Sequence, residues 1–180
     1  LIFKKKITIP DYVKKEKLVE NWGKDKLDYR EIIVAFKLND RGDITKEEFG
    51  TAYMGVFSFL PLKEESGLNF LIQGDFLSNA GRSEISRESL WNKWMADEIY
   101  KLITDTCIPV FLDNEKWKLN FTEILYPLFG RGHEIFINNI QNPLKEYIEN
   151  NPLLIDKDGN KCVGKNLVSI GREVREFLSD

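Results

Sequence analysis

The stretch with the most chemical suggestion is Asn39-Asp40-Arg41-Gly42-Asp43-Ile44-Thr45-Lys46-Glu47-Glu48-Phe49. Its second half has the spacing of a calcium loop: Gly42 at the sharp turn, Ile44 two residues on, Glu48 at the bidentate position. Its first half puts Lys37 and Arg41 where the ion needs oxygen, so a polar loop between strands is the expected reading. Asp156-Lys157-Asp158-Gly159-Asn160 carries its glycine two places too early for calcium and reads as a hairpin turn. Gly130-Arg131-Gly132 is too short for a dinucleotide fingerprint, and His133 after it is expected at the surface or at a helix start. One histidine and two distant cysteines, Cys107 and Cys162, are too few for a zinc site or a cysteine–histidine nucleophile. The cysteines are expected to be reduced and buried, and the pairs Glu47-Glu48 and Glu64-Glu65 to be exposed loop residues.

One junction has the chemistry to hold an anion. Gly81 and Arg82 lie in a polar loop before a long helical pattern, and amides at a helix start together with a guanidinium suit phosphate. Trp91 and Trp94 fall on the apolar stripe of that helix, so a core role is expected rather than a base-stacking platform.

The elements that must position these residues show in the hydrophobic period. Residues 3–9 read as a strand, and Pro10 to Tyr29 as a polar stretch with a short helix carrying Val13, Leu18 and Trp22. Glu31 to Leu38 alternates, with Ile32, Val34, Phe36 and Leu38 on one face. Met54 to Leu60 is nearly all apolar, as in a strand covered on both sides. Leu68, Phe70, Ile72 and Phe76 share a face of a fourth strand. From Ser86, the expected cap, Leu90, Trp91, Trp94, Met95, Ile99, Leu102 and Ile103 recur at helical spacing until Pro109. Trp117, Phe121, Ile124, Leu125 and Leu128 form a second stripe. Glu134 to Tyr147 forms a third, interrupted by Pro143. Leu153–Ile155 and Lys161–Val163 read as a hairpin, and Leu167 to Leu178 as a closing helix. The fold class is therefore α/β (α+β): a mixed sheet of about four strands backed by helices (1–112), then a helix-rich appendage with a hairpin (113–180).

Hydrophobic residues make up 42% and charged residues 31%, a globular balance. The net charge of −3 makes nucleic acid an unexpected partner, and the run Lys4 to Lys6 is read as a solvated strand edge. No apolar stretch reaches membrane length and no signal peptide is recognised, so no membrane and a cytoplasmic location are expected. The lack of an initiator Met suggests a piece of a longer chain.

Phe57-Ser58-Phe59-Leu60-Pro61, Glu64-Glu65-Ser66-Gly67-Leu68, Gly74-Asp75-Phe76, Ser78, Arg82 and Trp91-Asn92-Lys93-Trp94 resemble a block in sacsin-like proteins. These carry a nucleotide-binding domain similar to that of the ninety-kilodalton heat-shock chaperone, in the wider GHKL group of ATPases. The resemblance covers about residues 55–95, a block just downstream of the ATP-binding domain; the Leu153 to Val163 hairpin is similar to a later family element. It implies a fold like the second, middle domain of these ATPases, in which a basic side chain reaches the γ-phosphate. Arg82 is the implied contact and Arg87 the second choice, although the loop around Asn79-Ala80-Gly81 departs from the family pattern. No GHKL asparagine helix or glycine-rich lid is recognised, so no cofactor is expected in this segment. ATP and magnesium belong to the implied parent protein, whose upstream ATP-binding domain is the expected partner in cis, beside a protein client or a second copy. The expected function is a non-catalytic middle domain coupling ATP state to conformational change or client contact. The alternatives are a scaffold domain beside a degenerate nucleotide module and a part of a nucleic-acid-processing GHKL ATPase.

Overall fold

The computed structural model describes residues 1–47, 55–79, 81, 84–127, 130–155 and 160–163. Arg82, Met54, Glu48, Leu128, the 156–159 turn and the expected closing helix lie outside them.

The alternating segments form a mixed sheet. β1 (Ile2–Thr8) pairs antiparallel with β2 (Tyr29–Ala35), from Ile2 opposite Ala35 to Thr8 opposite Tyr29. The loop between them holds two short helices, α1 (Asp11–Lys14) and α2 (Lys17–Asn21). They bury Val13 and Val19, while Trp22, expected on the packed side, is exposed. β3 (Lys37–Leu38) and β4 (Ile44–Thr45) form a separate small hairpin. The sheet continues through β5 (Val56–Ser58), β6 (Leu60–Pro61) and β7 (Leu71–Gln73), in the order β1-β2-β7-β5-β6. β5 runs parallel to β7 and the other pairings are antiparallel. The fold is thus a mixed sheet backed by helices, with a fifth, two-residue strand beyond the four expected.

One face of the sheet makes the core. Ile7, Ile32, Val34, Val56 and Ile72 are buried on it, under α3 (Leu90–Leu102). Leu68, Phe70 and Phe76 are buried as the alternation predicts, whereas Leu38 leaves β2 and is exposed in β3. Phe59 and Leu60 are 73% and 58% exposed, so the apolar run ending at Leu60 is not covered on both faces. The chain turns at Phe59, whose φ of 59° reverses the strand into β6.

The helices correct two expectations about proline. α3 does not stop at Pro109. It passes through a π turn (Ile103–Cys107) into α4 (Ile108–Asp113), with Pro109 in the first turn of α4. Proline clashes with the carbonyl four residues back in an α-helix, and the wider π turn moves the preceding carbonyls away from the ring. The same device follows α5 (Phe121–Leu125) and α6 (Glu134–Phe136): a π turn (Ile137–Gln141) carries the helix past Pro143 into α7 (Asn142–Asn150). The cap of α3 is Ser89 rather than Ser86. Its side chain accepts a hydrogen bond from the Asn92 amide, which sits three residues on, as capping geometry requires.

One buried cluster runs from Ile7 to Leu153 across residue 112. Phe111 is its hinge, in ring contact with Phe3, Phe36, Trp117 and Phe121 at centroid distances of 5.0–6.0 Å. β8 (Leu154–Ile155) and β9 (Lys161–Cys162) close the expected antiparallel hairpin. No described helix is long and apolar enough to cross a membrane.

Candidate anion site at the sheet end

The residues carrying the family resemblance turn out to build the passage from β7 into α3. Gly74 faces Met95, where a Cβ would sit 2.7 Å from Cγ, so only glycine lets the strand end press on the helix. The Trp91 indole N–H donates to the Asp75 carbonyl at 2.7 Å. Asn92, fully buried, accepts from the Leu77 amide at 2.7 Å and donates to the Leu77 and Ser86 carbonyls at 2.8 and 3.0 Å. Trp91 and Trp94 are 0% and 4% exposed, which makes them core.

The helix start is already filled by a carboxylate. Glu16 Oε2 accepts from the Trp91 amide at 3.0 Å and from the Ser89 hydroxyl at 3.2 Å. The Asn92 amide is taken by Ser89. The amides expected to meet a phosphate beside Arg82 therefore already have acceptors, and Glu16 supplies the negative charge that the helix dipole favours there. Arg82 itself lies outside the described residues. Arg87 is described, exposed in the turn before α3, and has no ion pair among the described residues.

The cations gather one step away, around Asp75. Lys24 Nζ lies 2.5 Å and Arg30 Nε 2.7 Å from its carboxylate, and all three side chains are mostly buried. Both cations also sit over the Trp91 ring, at 5.1 and 5.6 Å from its centroid. Burial pushes the Lys24 pKa down, against the pull of Asp75 upward. The β2–β7 ladder ends at Ile33 opposite Gln73. Beyond that pair a cavity of about 550 Å³ opens between Tyr29, Arg30 and Glu31 on one side and Asp75 and Phe59 on the other, with Lys6 and Lys24 at its walls. Lys6 Nζ stands 3.3 Å from the centre of the Tyr29 ring. Three cations against two carboxylates leave the cavity with one positive charge in excess.

A second polar cluster ties the C-terminal helices to the sheet. Gln141, 1% exposed, donates from Nε2 to the Ser66 and Arg131 carbonyls at 2.7 and 2.6 Å, and the His133 amide donates to the Glu65 carbonyl at 2.9 Å. A Cβ on Gly67 would collide with the Arg131 carbonyl and Gln141, and one on Gly132 would lie 2.7 Å from the Glu65 carbonyl. His133 does cap a helix start, its Nδ1 accepting from the Ile135 amide at 3.3 Å, but it is 6% exposed rather than at the surface. Glu64 and Glu65 are likewise half-buried rather than exposed, and Glu64 accepts from the Ile85 amide.

The calcium-like loop is a polar turn. The Asn39 side-chain oxygen accepts from the Arg41 and Asp43 amides, both at 2.9 Å, which closes the β3–β4 hairpin. No cluster of three metal-binding side chains occurs among the described residues. Cys107 is a buried free thiol, held protonated by desolvation, and Cys162 is half-buried rather than buried.

Sequence reasoning found Asp75 only as part of Gly74-Asp75-Phe76, and missed Glu16, Lys24 and Arg30. The local signal for Glu16 and Lys24 is the polarity of residues 10–29; Arg30, in β2, lies outside it. No protein-family model matches the chain, and no solved structure matches it. The chain is similar to the protein NO VEIN of Arabidopsis thaliana, 30% identical over 176 residues, which is 94% of this chain and 6% of that protein.

Proposed function

We propose that this chain is a non-catalytic middle domain of a sacsin-like, chaperone-like ATPase. It couples ATP binding or hydrolysis in a neighbouring domain to conformational change or client contact. The observation that carries the reading is the face of the sheet that no described helix covers. Opposite the helices, Ile2, Ile33, Ala35, Phe57 and Leu71 line a groove of about 260 Å³. An apolar groove with Lys4 and Gln73 at its edge suits docking of a protein module. The similarity to a much longer relative is compatible with a unit that works beside others.

The reading is tested on a longer chain that includes the upstream ATP-binding domain. Leu71→Asp, on the open face, is expected to lower hydrolysis tenfold or more, about 1.4 kcal/mol of transition-state stabilisation. Arg82→Ala is expected to do the same if its guanidinium reaches the γ-phosphate; unchanged hydrolysis there moves that role to Arg87. A folded Leu71→Asp protein with unchanged hydrolysis rejects coupling through this face. The apolar groove equally suits a scaffold domain beside a degenerate nucleotide module, and a wild-type protein without hydrolysis would favour that reading.

A further inference from the structure

The cavity between β2 and β7 has features that a structural ion-pair cluster does not need. The first is its donor surplus. Arg30 has five N–H donors, of which Asp75 takes one and the Tyr29 carbonyl another. Lys6 is exposed and has no ion pair among the described residues. The surroundings supply more donors and positive charge than the Glu31 and Asp75 carboxylates balance.

The second feature is open main chain. In β2, Arg30, Ile32 and Val34 turn their backbone groups toward β1. This follows from the Leu1–Phe36 and Ile9–Asp28 bonds at the two ends of that ladder. Ile33 and Glu31 then turn theirs toward β7, but the β7 ladder stops at Ile33. The Glu31 N–H and C=O therefore face the gap without a strand partner among the described residues, as at a sheet edge to which an extended peptide can add.

The third is Phe59. It is held at φ 59°, in the left-handed region that non-glycine residues rarely adopt, and is 73% exposed at the cavity rim. A strained backbone that presents an aromatic ring to solvent gains nothing in burial; such strain recurs where a ring is presented to a ligand.

We propose that this gap recognises an acidic peptide segment of a protein partner. The segment lies extended along the Glu31 backbone, sets one carboxylate among Lys6, Lys24 and Arg30, and rests an apolar side chain on Phe59. The charge balance favours a carboxylate over a phosphate. One excess positive charge is neutralised by a monoanion and overshot by a dianion. The desolvation that lowers Lys24 would be offset by the same carboxylate. This inference concerns a different patch from the apolar groove and stands or falls without the ATPase reading.

The test uses the whole 180-residue chain. Two fluorescein-labelled seven-residue peptides are titrated by anisotropy, one alternating glutamate with leucine, the other glutamine with leucine, and inorganic phosphate is added as competitor. The glutamate peptide should bind at least tenfold tighter, with amide shifts in two-dimensional NMR centred on Lys6, Glu31 and Phe59. Lys6→Gln, a change at an exposed position, should weaken binding fivefold or more. Phe59→Gly should weaken it similarly without lowering the melting temperature, because glycine relieves the left-handed backbone. Equal affinity for the two peptides, or shifts centred elsewhere, overturns the proposal. Displacement of the peptide by micromolar phosphate would overturn the carboxylate assignment in favour of a phosphate site.

Discussion

Replacing Asn92 with leucine should cost the protein about 2 kcal/mol, although leucine has the same branched side-chain skeleton. Asn92 is 0% exposed and holds three main-chain groups, the Leu77 amide and carbonyl and the Ser86 carbonyl. Leu77 is 2% exposed: its amide loses its partner with no route to water, at about 1–3 kcal/mol, while its carbonyl keeps the Ser86 amide as donor and loses one bond, at about 1 kcal/mol. Ser86 is half-buried and its carbonyl can be rehydrated, so it adds little. Burying the leucine methyls returns about 1 kcal/mol. With a urea m-value of about 2 kcal/mol/M, the unfolding midpoint should fall by about 1 M at unchanged m. Lys93→Ala, next in sequence but directed outward, should stay within about 0.5 kcal/mol. A loss below 1 kcal/mol for Asn92→Leu, or equal losses for the two variants, would refute the claim that this motif residue is a clamp between strand, loop and helix.

Asp75→Asn should destabilise by about 2–3 kcal/mol in the same urea assay, less than a fully buried pair because Arg30 keeps some solvent contact; adding Lys24→Met should recover part of it. Gly132→Ala, at φ 105° and against the Glu65 carbonyl, should cost about 2 kcal/mol or more, seen as a lower melting temperature. In the native state a thiol reagent should modify Cys162 rapidly and Cys107 only as fast as the chain opens. Because burial raises the Cys107 pKa, its contribution is intact below about pH 9 and falls by about 1.4 kcal/mol per unit above it, where the unfolded thiol ionises. Lys24, lowered by burial, acts in the opposite sense as pH approaches its ordinary value, so Cys107→Ala should flatten the alkaline loss measured between pH 9 and 10.

What the sequence makes legible here is periodic and local. The alternation of Ile32, Val34 and Phe36 and the stripe from Trp91 to Ile103 follow from burial on one face, and the Leu154–Cys162 hairpin from two short apolar runs around an Asp-Gly pair. Strand coverage is not local. Met54 to Leu60 reads as doubly buried because nothing in it records that Phe59 turns out to solvent. The site is harder still. Asp75 meets Lys24 and Arg30 across 51 and 45 residues, and Glu16 reaches the start of α3 from 75 residues away. A single sequence gives charge at each position but no pairing between distant ones. The junction at Gly81-Arg82 is anion-like in its local chemistry, but the acceptor at that helix start comes from Glu16, far away in sequence.

The two π turns bear on how this chain can change length over evolution. A one-residue deletion inside an α-helix normally rotates everything beyond it by about 100° and ruins the packed face. A π turn already holds a residue more than an α turn, so losing one from 103–107 would merely tighten the helix. Here that route is closed by Pro109, whose ring would then press on the carbonyl four residues back. Proline and extra residue are thus interlocked: descendants shed the proline before the residue, or keep both. The pairing of Pro143 with the turn at 137–141 imposes the same order of events a second time.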